Sequence, residues 1–249
     1  MPDDGITGLQ YEAYQRWRTY IVWAFKDLAQ EAWRTSLFIS ESVLRRSEYL
    51  PHFPHQVMRA SPLQGSGVTQ PLTPATCLHV YEYLAGLQLS KPFCVLTEGT
   101  CVRYEEGAWK PPYRLPAFTM MELVLVGEEP FITKAHEALL VRTPSFFKDA
   151  LLSVTAMPAT DAFFLGTSEG ALRLQQIKGL KKEFVREGGQ TALASLNLHE
   201  DYFGKHFDIS ANRAVAHSLC LAFGLERLAA TSLEVWGEDI TTWPTMALL

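Results

Sequence analysis

Short β-like runs in this chain come in consecutive groups, with helices between the groups. "FCVLTE" (93–98) and "TCVRYEE" (100–106) follow each other across a turn predicted at Gly99, and "AFTMMELVLVG" (117–127) comes next, after a proline-bearing loop. "DAFFLG" (161–166) reads as a further strand, and "TALASLNLH" (191–199) and "KHFDIS" (205–210) as a strand pair. Strict β–α–β alternation would favour a parallel sheet. Grouped strands favour an α+β fold with a mainly antiparallel sheet flanked by helices.

The helical stretches fit that frame. Residues from about 10 to 48 lack Pro and Gly, and Tyr14, Trp17, Ile21 and Phe25 recur at helical spacing. "TPATCLHVYEYLAGLQL" (73–89) reads as a helix with Cys77 in its first turn, "ITKAHEALLVRTPSFFKDALLSV" (132–154) as a helix interrupted at Pro144, and "EGALRLQQIKGLKKEF" (169–184) mainly as helix. A last helix is predicted from about Ala211 to Ala230, followed by a polar tail. The 249 residues suit one domain, read as a helical N-terminal segment over about 1–50 and a core over about 51–232.

Charge and cysteine content narrow the function classes. A net charge of −5 without a basic stripe argues against broad nucleic-acid binding. Cys77, Cys94, Cys101 and Cys220 form no C-x-x-C pair and no disulfide framework, which points to a reducing compartment. The start "MPDDGITGLQ" has neither the basic end nor the apolar run of a signal peptide, and no apolar run is long enough to span a bilayer, so a cytoplasmic location and no membrane contact are expected.

Three places carry candidate chemistry. In "HSLCLAFGLERL" (217–228), Cys220, Gly224 and Arg227 are spaced +4 and +3, which on a helix places them on one face. A core helix with a packing glycine satisfies that spacing equally well. In "TCVRYEE", Cys101, Arg103 and Glu105 alternate and would share one face of a strand, as an exposed ion pair or as an anion clamp. In "RLPAFTMMELV", Arg114, Phe118 and Glu122 are spaced by four, and Glu122 sits among Met120, Met121, Leu123 and Val124. Burying a carboxylate there without a strong partner would cost several kcal/mol, and a metal ion is one such partner. "EGGQ" (187–190) reads as a tight turn, and His199 and His217, outside any H-x-x-x-H pattern, as structural.

Taken in order, these pieces resemble the catalytic core of class II aminoacyl-tRNA synthetases, in particular the seryl type. "CVRYE" (101–105) resembles motif 2, and Arg114, Phe118 and Glu122 its seryl-type continuation. "FGLERL" (223–228) resembles motif 3, and "YLPHFPHQVM" (49–58) is the best candidate for motif 1. Within that class the resemblance is to the amino acid:carrier-protein ligases, relatives of the atypical zinc-dependent seryl-tRNA synthetases, and "SLNLHEDYFGKHFDI" (195–209) resembles their Ser-x-Asn-x-His segment.

The resemblance implies zinc held by Cys77, Glu122 and Cys220, with the substrate amino group as a further ligand. It implies ATP bound with Mg²⁺ by Arg103, Glu105, Arg114, Phe118, Gly224 and Arg227. Arg103 and Arg227 would be the catalytic pair, and Glu122, Ser195 and Asn197 would meet the amino acid. It further implies a homodimer and a phosphopantetheinylated carrier protein as acceptor. A tRNA acceptor is not expected, since the sequence shows no basic coiled-coil arm. One position departs from the class: reading back from Asn197, no acidic residue appears before Glu187, where many relatives hold Mg²⁺ near the place of Thr191. A second reading therefore stands beside the first, a paralogue that binds an amino acid or a partner without activating it.

Overall fold

The computed structural model describes residues 5–65, 67–105, 107, 109–159, 178–189 and 191–246. Seven strands form one sheet: β1 (Glu31–Arg34), β2 (Phe93–Val102), β3 (Ala117–Gly127), β4 (Val154–Pro158), β5 (Lys181–Arg186), β6 (Ala192–Glu200) and β7 (His217–Gly224). Their order across the sheet is β1-β2-β3-β7-β6-β5-β4. β1 runs parallel to β2, and every other neighbouring pair is antiparallel.

The two-residue period of the strands sorts the core into two layers. Leu96, Met121, Leu123, Leu125, Leu196, Leu219, Leu221 and Phe223 face one way and pack with α1 (Gly8–Phe25), α5 (Glu129–Asp149) and α7 (Leu225–Trp236). Val95, Val124, Val126 and Cys220 face the other way and pack with α2 (Glu41–Arg46), α4 (Cys77–Tyr83) and α6 (Tyr202–Phe207). The short α3 (Tyr49–His52) lies between α2 and α4 in the chain. The first layer is rich in large aromatics. Trp17 lies stacked 5.8 Å from Trp236 and its Nε1 donates to Ser232 Oγ at 2.6 Å, which locks the N-terminal helix onto α7. The second layer is thinner and opens into a cavity.

Several local readings change. The stretch predicted as helical over 10–48 is helix at 8–25 and 41–46, and between them Glu31–Arg34 joins the sheet edge. No turn forms at Gly99, which lies inside the ten-residue strand β2. The glycine is there for close approach, because a Cβ would run into Thr35 Oγ1. Pro144 does not interrupt α5, which runs on to Asp149 and buries Phe146 and Phe147 against Trp17. "KHFDIS" is not a strand of the main sheet. Its first half ends α6, Asp208 turns the chain at φ 55, and Ser210–Ala211 makes a two-residue bridge to Gln88–Leu89.

Residues 181–184, read as the end of a helix, begin β5. The predicted strand at 161–166 and the part of the neighbouring helix at 169–177 lie outside the described residues.

The largest correction falls on the last helix. His217–Gly224 is a central strand, and α7 starts only at Leu225. Cys220 and Gly224 thus share a face through strand alternation, and Arg227 follows in the first turn of α7. The run "SLCLAF" is buried on both sides, so it carries no one-sided apolar stripe that would separate helix from strand. The tail after α7 is not simply polar: Trp243 and Met246 are buried in the first layer.

Candidate active site

The cavity encloses about 750 Å³ on the second face of the sheet. Its floor is the antiparallel block β3–β7–β6–β5. Phe118, Met120 and Glu122 come from β3, Cys220 and Ala222 from β7, Ser195 and Asn197 from β6, and Lys181 and Glu183 from β5. The register explains their convergence. Ala222 stands opposite both Glu122 and Ser195, Cys220 opposite Asn197, Lys181 opposite Asn197 and Glu183 opposite Ser195. Opposed residues point to the same face.

At one end, Cys77 at the start of α4 reaches down to Glu122 and Cys220. One ligand atom from each lies within 4.8 Å of the others, and all three residues are buried. Glu122 Oε1 accepts the Thr76 N–H at 3.1 Å. Asn197 Nδ2 donates to Cys220 Sγ at 3.4 Å and to Ser195 Oγ at 3.2 Å, and its Oδ1 is buried without a partner among the described residues. The Cys77 thiol is pushed well above its usual range by its hydrogen bond with Cys220, by burial and by the nearby Glu122.

Two sulfurs and a carboxylate crowded together in a dry place cannot all carry negative charge unaided, and a divalent cation would offset that charge. Two thiolates and one carboxylate oxygen suit zinc, and three protein ligands rather than four are the pattern of a site that also takes substrate. The lone Oδ1 of Asn197 is an acceptor beside that cluster that awaits an N–H or O–H.

Behind Cys220 lies a polar chain that spacing alone did not reveal. His199 Nε2 stands 3.8 Å from Cys220 Sγ. Its Nδ1 stands 3.0 Å from Tyr81 Oη and 3.2 Å from Ser218 Oγ. Burial drives the imidazole pKa down to about 3, so the ring is neutral at physiological pH.

The other end is cationic. The Arg103 Nε donates to Pro74 O at 2.7 Å, and its guanidinium lies 5.3 Å from the Phe118 ring centre. Arg227 donates from Nε to Tyr113 O at 2.8 Å and from Nη1 to Ala192 O at 3.2 Å. Among the described residues both arginines are thus hydrogen-bonded to carbonyls and not to carboxylates. Glu105 pairs with Arg114 at 3.0 Å, so it does not orient Arg103 directly. The Arg227 pKa is lowered by burial and then by the like charges of Arg103 and Arg114. Three arginines converge here, with Glu105 and Glu183 acting on Arg227 as partial counter-charges, and a cationic end of this kind suits an anion.

Gly224 caps α7 at φ −91, a value open to any residue, and a Cβ there would make only ordinary contact with Arg227 at 3.5 Å, so the protein's own packing does not demand a glycine. Glu226 takes the Thr119 N–H on both oxygens, at 2.9 and 2.8 Å, and fastens the start of α7 to β3.

Every predicted site residue therefore borders the same cavity: Cys77, Arg103, Glu105, Arg114, Phe118, Glu122, Ser195, Asn197, Cys220, Gly224 and Arg227. "YLPHFPHQVM" forms its rim through Tyr49, Phe53, His55 and Gln56, while the sheet edge belongs to β1. Thr191 lines the cavity without offering a carboxylate. Sequence reasoning missed Glu183, which lies on the neighbouring strand β5 in the field of Arg227. The alternation of Lys181 and Glu183 in "KKEFV" was the available signal, obscured by reading that stretch as helix.

No protein-family model matches the chain. It is 27% identical to amino acid–[acyl-carrier-protein] ligase 1 of Bradyrhizobium diazoefficiens, over 98% of this chain and 84% of the relative. It is 29% identical to ligase 2 of the same organism, over 70% of this chain and 53% of that relative. The seryl-tRNA synthetase of M. kandleri, solved in complex with A. aeolicus tRNASec, superposes with a TM-score of 0.84 at 17% identity, over 99% of this chain and 56% of the synthetase. The chain thus has the class II synthetase fold and is a homologue of proteins named as ligases, and it spans little more than half the length of the solved synthetase.

Proposed function

We propose that the chain activates a small amino acid with ATP and passes the aminoacyl group to the phosphopantetheine thiol of a carrier protein. One observation carries this reading: the Cys77–Glu122–Cys220 cluster and the two carbonyl-held arginines open into the same cavity. An amino acid has an amine for the first end and a carboxylate for the second. Bound by Cys77, Glu122 and Cys220, zinc supplies a Lewis-acid position for a neutral amine, which selects against substrates without an α-amino group.

The chain's own groups do the rest by positioning and charge. Asn197 and Ser195 border the amino-acid end, where the free Oδ1 of Asn197 accepts from the substrate amine. Arg103 holds the substrate carboxylate against the α-phosphate. Phe118 offers its ring to adenine, Arg114 with Glu105 closes over the nucleotide, and Arg227 at the start of α7 takes the γ-phosphate, with room left by Gly224. Glu183, which lines the cavity as Thr191 does, would supply the carboxylate that Thr191 lacks and help hold the Mg²⁺ that accompanies ATP. The carboxylate oxygen attacks the α-phosphorus, the bond to the β-phosphate breaks, and pyrophosphate leaves with the aminoacyl adenylate formed. No general base is required, since the nucleophile is already an anion, and preorganised cations stabilise the added charge. A thiol then attacks the carbonyl carbon and AMP leaves. The open edge of β1 and the exposed Leu37 and Phe38 beside it favour a homodimer, and buried free thiols suit a reducing cytoplasm.

The acceptor is tested by incubating the chain with ATP, amino acid and a phosphopantetheinylated carrier protein, followed by intact mass spectrometry. The carrier gains one aminoacyl mass, and a carrier lacking the arm gains none. Loading of tRNA with the carrier left bare would overturn the assignment.

A further inference from the structure

The proposed chemistry gives no role to His199, which is fully buried next to Cys220 but outside the three-residue cluster. Its two nitrogens meet different surroundings. Nδ1 faces the hydroxyls of Tyr81 and Ser218, at 3.0 and 3.2 Å, while Nε2 faces the Cys220 sulfur at 3.8 Å. Hydroxyls either give or take a proton. A sulfur that ligates a cation is a thiolate and only accepts. With Cys220 in that state, a lone pair on Nε2 would face a lone pair on sulfur, so the favoured tautomer has the proton on Nε2 and a hydroxyl donating to Nδ1. Asn197 Nδ2 already directs a second N–H at the same sulfur from 3.4 Å.

We infer that His199 is a positioning residue for the metal centre: it donates Nε2–H to the Cys220 thiolate, and Tyr81 and Ser218 hold it in the tautomer that allows this. Two N–H donors on one sulfur withdraw charge from it, so the pair sets both the orientation of Cys220 and its strength as a ligand. Metal ligands are commonly fixed by such outer partners, whose loss costs about 10- to 100-fold in metal affinity.

The inference rests on the zinc reading above, and the test separates the two. Zinc affinity of the full chain is measured by competition with a chromogenic chelator, and the cobalt-substituted protein is read by its sulfur-to-cobalt charge-transfer band. His199→Leu is expected to weaken zinc binding about 10- to 100-fold and to move the band, while His199→Gln, which keeps an N–H donor, recovers most of both. The double variant Tyr81→Phe with Ser218→Ala, which leaves the ring in place and removes its tautomer lock, is expected to move the band in the same direction; it decides the matter if His199→Leu does not fold. Wild-type affinity and an unmoved band in His199→Leu or in the double variant would overturn the role of His199 while leaving the zinc site standing. A wild-type chain that binds neither zinc nor cobalt would instead overturn the metal reading.

Discussion

Removing either sulfur from the Cys77–Glu122–Cys220 cluster leaves two ligands, too few to hold zinc against water. Cys77→Ala and Cys220→Ala are therefore each expected to lose bound zinc by elemental analysis while the fold persists by circular dichroism; unchanged zinc content in either would contradict the site. At the opposite end, Arg227→Ala removes the cation proposed to hold the γ-phosphate. The rate constant kcat/KM for ATP should fall about 100-fold, the usual loss for one such donor. Glu183→Gln should weaken ATP binding in the presence of Mg²⁺ and leave metal-free ATP binding unchanged, as read by calorimetry. At this scale the sequence was most legible where a residue type carries its own chemistry. Glu122 among apolar neighbours, Arg103, Cys220 and Arg227 stood out by type and spacing, with packing or surface readings open beside them, and Cys77 with the zinc set came only from the resemblance to the carrier-protein ligases. Glu183 and His199 were not legible, because their significance comes from the strand beside them: Glu183 matters through Ser195 across β5–β6, and His199 through Cys220 across β6–β7.

Elements were readable where a helical stripe or a strand-like composition marks them. In helix α1 the buried stripe of Trp17, Ile21 and Phe25 gave the element and its start, while its end at Phe25 was lost inside the stretch read as helical over 10–48. Strands β3 and β6 emerged close to their observed bounds from their composition and not from an alternation of buried and exposed residues. The stretch 217–224 failed for the opposite reason: a central strand covered on both faces has no pattern to read. Gly99 misled in another way, since a glycine that admits Thr35 looks in sequence like a glycine that makes a turn. Gly99→Val places a branched side chain against Thr35 and Thr76 in the middle of β2 and should destabilise the fold by about 2 kcal/mol, near the middle of the range for overpacking. Urea denaturation measures it, and wild-type stability would mean that Thr35 gives way to the added side chain.

The molecule as a whole divides into an aromatic layer that holds it together and a layer that carries the cavity. The aromatic layer joins the two ends of the chain, with α1 against α7 and Trp243 5.4 Å from Trp236 and under the guanidinium of Arg16. Trp243→Ala should thus cost about 3 kcal/mol, as for other buried tryptophans, although the residue is remote from the cavity and the substrate KM should not change. The α+β character and the antiparallel sheet were legible from the grouping of strands; the parallel edge strand β1 was not, since a four-residue strand between two helices carries almost no periodicity. What the cavity layer does is read by amino-acid-dependent exchange of labelled pyrophosphate into ATP. Exchange is expected with one or a few small α-amino acids, not with their α-hydroxy analogues, and is expected to cease when zinc is removed. Zinc and ATP bound with no amino acid of the twenty supporting exchange would contradict amino acid activation by this chain.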